Sequence, residues 1–233
     1  MPPSTRVSSG IPGFDKLIQG GFKQGSINLL CGGPGAGRTT LTVQFLVEGL
    51  KNGEAGIYIT FEEKKEKLYA DMMEFGWDLK KYEDDGLFKF LEYTPEQVKR
   101  VLVEGGGTID VIITQMKAKR LVIDSITSFS MLFQDELTQK ESSLALFELI
   151  NRWGCTALLT SQAAQISDEH VTARLQFEVD SILILYHFRR KGVRYRAIEI
   201  LKMRGTRTPE ETYKLEITAK NGLAVDTAKV VNI

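Results

Sequence analysis

The stretch Gly32-Gly33-Pro34-Gly35-Ala36-Gly37-Arg38-Thr39 constrains this chain more than any other. It fits the spacing G-x-x-x-x-G-[K]-[ST] at every position but one, where Arg38 stands in place of lysine. An apolar run from Ser26 to Leu30 precedes it and reads as a buried strand. Thr39 to Leu50 follows, with apolar residues at 41, 43, 45, 46, 47 and 50, mostly at helical spacing. Strand, glycine-rich turn and helix form the setting such a loop requires. Glycines let successive N–H groups turn inward around a phosphate, and the helix N-terminus adds its positive end. Gly33, Pro34, Gly35, Ala36, Gly37, Arg38, Thr39 and Thr40 are therefore expected to hold a nucleotide. Thr39 would place a hydroxyl on Mg²⁺, and Arg38 a cation on the terminal phosphates. Lysine is a compact point charge and arginine a longer planar fork. Binding is expected to survive that change better than placement of the transition state.

The rest of the chain alternates strands with helices. Val7 to Gly25 is turn-rich around a short helix, Phe14 to Ile18. Strands are expected at Gly56 to Phe61, Gly86 to Leu91, Arg120 to Ile123 and Cys155 to Thr160. Helices are expected at Lys64 to Phe75, Pro95 to Val103, Thr108 to Lys117 and Lys140 to Trp153. From Ser181 the period changes. Ser181 to Tyr186, Arg194 to Ile200 and Tyr213 to Ile217 read as strands joined by turns at Arg190-Lys191-Gly192, Arg204-Gly205 and Asn221-Gly222. The pattern predicts an α/β chain with a mostly parallel sheet and an antiparallel extension at its C-terminal end. With 233 residues, one domain spanning 1–233 is expected.

Composition narrows the partners. Thirty basic and thirty acidic residues cancel, which argues against coating nucleic acid or an anionic membrane. No apolar run reaches spanning length, and Met1-Pro2-Pro3-Ser4 does not begin a secretory signal. Cys31 and Cys155 make neither a disulfide framework nor a zinc set, so a reducing cytoplasm is expected. The two histidines, His170 and His187, form no metal-binding set; His187 is read as lying at a strand end.

In open α/β sheets, ligands sit beyond the carboxyl ends of the parallel strands. Glu62 and Glu63 follow one such strand, where a carboxylate can polarise an attacking water. The alternative is that both acids open the next helix, which its dipole favours. Asp124 ends Leu121-Val122-Ile123 and would organise the magnesium shell through water. Gln162 ends another strand, placed to sense a terminal phosphate or simply to form a surface turn.

Several segments together resemble the KaiC/RadA-like branch of the RecA ATPases. They are Ser9-Gly10-Ile11-Pro12-Gly13-Phe14-Asp15, Gly20-Gly21, Gly32 to Thr40, Tyr58-Ile59-Thr60-Phe61-Glu62-Glu63, Leu121 to Ser125, and Ile200-Leu201-Lys202-Met203-Arg204-Gly205-Thr206. The resemblance spans nearly the whole chain in order. It implies a RecA-like P-loop NTPase fold that binds ATP or ADP with Mg²⁺ and assembles into a homo-oligomer, a hexameric ring, with nucleotide at subunit interfaces. It further implies that Glu62 and Glu63 activate water, and that Lys202 and Arg204 reach the neighbour's nucleotide. Thr208 stands where the family often has histidine. Gln176-Phe177 corresponds to the phosphorylated Ser-Thr pair of the clock protein's second domain, so autophosphorylation there is not expected.

Three functions compete on the sequence. One is a ring-forming, slow ATPase. Another is a scaffold locked by nucleotide with little hydrolysis, which Arg38 favours. The third is a recombinase-like DNA-binding filament, which the neutral balance and the acidic segment Ala163 to Gln176 (Asp168, Glu169, with Arg174 its one arginine) oppose. Arg189, Arg190, Lys191, Arg194 and Arg196 cluster on a hairpin that is solvated, touches a neighbouring subunit or meets nucleic acid.

Overall fold

The computed structural model describes residues 5–133, 135–162, 178–219 and 222–232. In chain order its elements begin with β1 (Arg6–Val7), α1 (Phe14–Leu17), β2 (Phe22–Lys23), β3 (Ile27–Gly32) and α2 (Arg38–Lys51). Next come β4 (Gly56–Thr60), α3 (Lys65–Met73), α4 (Leu79–Asp84), β5 (Phe88–Glu92), α5 (Pro95–Val103) and α6 (Gly107–Met116). Then follow β6 (Arg120–Asp124), α7 (Ile126–Ser130), α8 (Glu136–Trp153) and β7 (Thr156–Ser161). The last four are strands: β8 (Ser181–Arg190), β9 (Val193–Met203), β10 (Tyr213–Thr218) and β11 (Gly222–Val230).

Nine strands form one sheet in the order β11-β10-β9-β8-β3-β7-β6-β4-β5. The stretch from β8 to β5 is parallel throughout. The pairings β8–β9, β9–β10 and β10–β11 are antiparallel. The fold is therefore the α/β arrangement expected, a parallel sheet with an antiparallel extension. β1 and β2 make a separate two-stranded ribbon.

The apolar runs of the central strands are buried on both faces, as parallel strands between helical layers must be. On β3, Leu30 enters one core with Tyr58, Val122, Leu158 and the inner face of α2. Leu29 and Cys31 enter the other, with Ile57, Ile59, Ile123, Leu159 and residues of α5, α6 and α8. Cys31 is fully buried, and burial pushes its thiol up to about 12. It packs as a small hydrophobe. Trp77 is buried in the first core, and Trp153 packs at the edge of the second.

Local chemistry explains where the elements depart from expectation. α8 starts at Glu136 rather than Lys140 because Asp135 caps it, accepting from the Thr138 N–H at 2.9 Å. α3 starts at Lys65, so Glu63 precedes the helix, yet its carboxylate still lies 3.6 Å from Lys67. β8 and β9 run past the expected ends to Arg190 and Val193. Phe188 stacks on Tyr195 there, with ring centroids 5.9 Å apart, and Lys191 and Gly192 take the positive φ a tight hairpin turn needs. The short helices α4 and α7, the ribbon and β11 were not legible as periodic runs. Residues 163–177, which carry the acidic segment and Gln176-Phe177, and Asn221 lie outside the described residues. Among the described residues, no helix is long and apolar enough to cross a membrane.

Arg120 opens β6 and is 2% exposed. Its guanidinium donates to Glu54 Oε2 at 2.7 Å and to the carbonyls of Ser8 (2.8 Å) and Phe45 (2.7 Å), and lies over the Phe45 ring. It ties the N-terminal segment, α2 and the sheet together. Arg120→Ala would leave Glu54 without its partner and a cavity beneath α2. It is expected to cost about 3–5 kcal/mol, read by urea unfolding at constant m-value.

Candidate functional site

The loop from Gly33 to Gly37 leaves the carboxyl end of β3 and feeds α2. Its path requires glycine. Gly35 and Gly37 have φ of 73° and 105°, a region other residues rarely adopt. A Cβ on Gly32 would come within 2.8 Å of the Leu185 carbonyl. The start of α2 has no side-chain cap, so its first N–H groups remain available to an anion. Two donors brace the loop's carbonyls from outside. Arg196 Nε donates to Gly35 O at 2.7 Å, and His187 Nδ1 lies 3.2 Å from Pro34 O. His187 is thus inside a strand and against the loop, not at a strand end.

Arg38 is half-buried and reaches across the sheet end, donating to Ser161 O at 3.2 Å. Burial pulls its pKa below the ordinary arginine range, while the charges of Asp124 and Glu62 oppose that shift. The guanidinium stays charged.

Asp124 sits at the end of β6, joined to Ser125 by a cis peptide bond. Tyr58 Oη donates to its Oδ2 and Thr160 Oγ1 to its Oδ1, each at 2.6 Å. Desolvation, then the charge and hydrogen bond of Asp124, hold the Tyr58 phenol well above its usual range. Tyr58 therefore remains a proton donor.

Glu62 and Glu63 part company. The Thr60 hydroxyl accepts from both of their N–H groups, at 3.3 and 3.1 Å. Glu62 then turns toward the site. Its carboxylate accepts from Ser128 Oγ and, at 3.4 Å, from Gln162 Nε2. Ser128 is also bonded to Ser125 at 2.7 Å. Gln162 is anchored through its N–H to Thr127 Oγ1 at 3.1 Å. Glu63 instead lies near Lys67. Thus Arg38, Asp124, Glu62 and Gln162 converge on one end of the sheet, beside the glycine loop.

Lys202 and Arg204 do not join them. They flank Met203, which pairs with Ser181; Ser181 pairs with Asn28, at the start of β3. The glycine loop leaves the other end of β3, four strand residues on, or roughly 13 Å away. Lys202 Nζ donates to Val179 O at 2.9 Å. Partial burial and then the neighbouring Arg204 lower its pKa, against the pull of Asp180 and Glu178.

Sequence reasoning did not single out Tyr58, Thr160, Thr127, Ser128, or Arg196 against the loop. The signal for Tyr58 was present: it shares a strand face with Thr60, two residues before Glu62.

The donor set can be tested against Mg²⁺. The Thr39 hydroxyl and the carboxylates of Asp124 and Glu62 are hard oxygens, which suit that ion. Among the described residues, no group of three or more His, Cys, Asp or Glu is arranged to hold a metal. Magnesium fits such a site, since it keeps several waters and shares its shell with substrate phosphates.

The sheet order, the loop and the strand-end carboxylates define a RecA-like P-loop fold. The sequence profile of the family described as "ATPase: KaiC" matches residues 7–230, and the chain belongs to that family. The chain is 30% identical over 228 residues to the circadian clock protein KaiC3 of Synechocystis, covering 94% of this chain and 45% of that protein. It therefore spans less than half of that relative. It is 32% identical over 239 residues to UPF0273 protein PF1931 of Pyrococcus furiosus, covering 97% of this chain and 96% of the relative. The crystal structure of KaiC-like protein PH0186 from Pyrococcus horikoshii superposes with a TM-score of 0.85 at 35% identity, over 96% of this chain and 100% of that one.

Proposed function

We propose that the chain folds as one domain over 1–233, binds ATP or ADP with Mg²⁺ at Gly33 to Thr40, and hydrolyses ATP slowly as a homo-oligomeric ring. The observation that carries this reading is the convergence of Arg38, Asp124, Glu62 and Gln162 beside the glycine loop. In it, Thr39 and Asp124 organise the metal, Glu62 orients water and Gln162 senses the terminal phosphate. Magnesium, when bound, offsets charge developing on the phosphates. Glu63 is kept in the reading as the second acid of the pair.

The placement of Lys202 and Arg204 supports a ring. They lie too far from their own loop to act on it, so their action on nucleotide is in trans, across an interface. A hexamer is the expected closed form. The two buried, unpaired cysteines support the reducing, cytoplasmic setting. Arg189, Arg190 and Arg196 are engaged within the chain, with Gly192 O, Asn232 O and Gly35 O. That supports a hairpin serving the fold over one reading DNA.

A second reading, a nucleotide-locked scaffold, draws on the bond from Arg38 to Ser161 O, which directs the cation along the sheet end. One experiment separates the two. With millimolar MgATP the melting temperature is expected to rise by about 5 °C or more, as ligand linkage requires. Light scattering should show a closed oligomer with nucleotide. Phosphate release in the same samples reads hydrolysis: slow turnover supports the ATPase, and none supports the scaffold. No melting shift together with no binding by calorimetry overturns both. A monomer at saturating nucleotide overturns the ring.

A further inference from the structure

The grip on Asp124 comes from the two strands that flank it. Tyr58 reaches from β4 to Oδ2, and Thr160 reaches from β7 to Oδ1. Both donors are fully buried, at 0% exposure. The Tyr58 ring is fixed further by a near-parallel stack on Phe90, with centroids 5.7 Å apart and planes 8° apart. Neither donor has room to follow a carboxylate that swings. Asp124 itself remains only partly buried, at the same end of the sheet as Arg38, whose charge it stabilises.

The chemistry of this grip is unusual for a buried acid. A structural carboxylate is commonly satisfied by Arg or Lys, which cancels its charge. Here both partners are neutral hydroxyls. They fix the rotamer and leave the negative charge for a cation. Arg38 feels the Asp124 charge, but its guanidinium hydrogen-bonds Ser161 O.

We propose that Tyr58 and Thr160 are positioning residues that aim the Asp124 carboxylate at the hydrated metal of the bound nucleotide. This rests on the reading that the site takes a metal–nucleotide complex. Supports of this kind are worth about 10–100-fold in metal affinity when removed.

The test uses Mn²⁺ as the probe, followed by electron paramagnetic resonance with ADP present. Nucleotide affinity in EDTA is measured in parallel. Tyr58→Phe keeps the ring and its stack and removes only the hydroxyl. It is expected to weaken Mn²⁺ binding about 10-fold or more. Metal-free ADP affinity should stay within about twofold, since the phosphate loop is untouched. Thr160→Val should weaken Mn²⁺ in the same direction, and Thr160→Ser, which restores a hydroxyl, should recover it. If Tyr58→Phe does not fold, the Val and Ser pair at Thr160 decides alone. Variants that melt lower but bind Mn²⁺ like the wild type would show a purely structural role and overturn the inference. A wild-type chain that binds ADP but no Mn²⁺ overturns the metal reading, and the inference with it.

Discussion

Glu62→Gln is expected to lower ATP turnover by about 10²-fold or more while leaving nucleotide affinity nearly unchanged. The double variant Glu62→Gln, Glu63→Gln should be no slower than Glu62→Gln by more than about threefold, since Glu63 lies by Lys67 and not by Ser128 and Gln162. The geometry assigns the acids unequally. Glu62 accepts from Ser128 Oγ and from Gln162, facing Arg38 and the loop. Glu63 turns to Lys67. Neither belongs to the glycine loop proposed to hold phosphate, so binding should persist in both variants. Steady-state phosphate release with a binding constant for each variant is the measurement. Unchanged turnover in the double variant would mean that these acids only shape the approach to α3.

Arg38→Lys is expected to raise the rate, and Arg38→Ala to weaken both binding and turnover. Either cation attracts phosphate, so ground-state binding should survive in the lysine variant. Catalysis depends on stricter placement, where one misplaced stabilising group costs about 10²–10³ in rate. The guanidinium is held at the end of β7 by the Ser161 carbonyl. That bond commits the charge to the end of β7, the strand beside β3. Lysine has a compact ammonium with three rotatable donors on a flexible stem, and no planar fork to lie against the Ser161 carbonyl. It should leave Ser161 for the terminal phosphate. An Arg38→Lys chain no faster than wild type would mean that the Ser161 contact places arginine well, and that the rate is limited elsewhere.

The glycine loop was legible because its chemistry is local. Strand, turn and helix are contiguous in sequence, and the φ values that demand glycine at 35 and 37 belong to the loop itself. The parallel sheet was legible for a related reason: strands buried on both faces must be apolar throughout, as Ile57 to Ile59 and Leu121 to Ile123 are. The five-residue α7 and the six-residue α4 were not, because one or two turns of helix show too little period to read. The helix start at Glu136 is marked by its cap, Asp135, and periodicity placed it four residues late.

The identity of the residue types at the strand ends could be read from the chain alone. Their directions could not. Whether Glu62 or Glu63 faces the site depends on the Thr60 hydroxyl that holds both N–H groups and on Ser128 and Gln162, brought in from α7 and β7. Tyr58 reads in sequence as one more apolar strand residue; only the register of β4 beside β6 sets its hydroxyl on Asp124. His187 and Arg196 reach the loop because β8 and β9 continue as a hairpin past Gly32. The same antiparallel return carries Lys202 and Arg204 to the far end of the sheet. A sequence specifies backbone preference and burial through neighbours a few residues apart. Side-chain partners 36, 66 and 100 residues apart are chosen by strand order and register, which only the folded sheet sets.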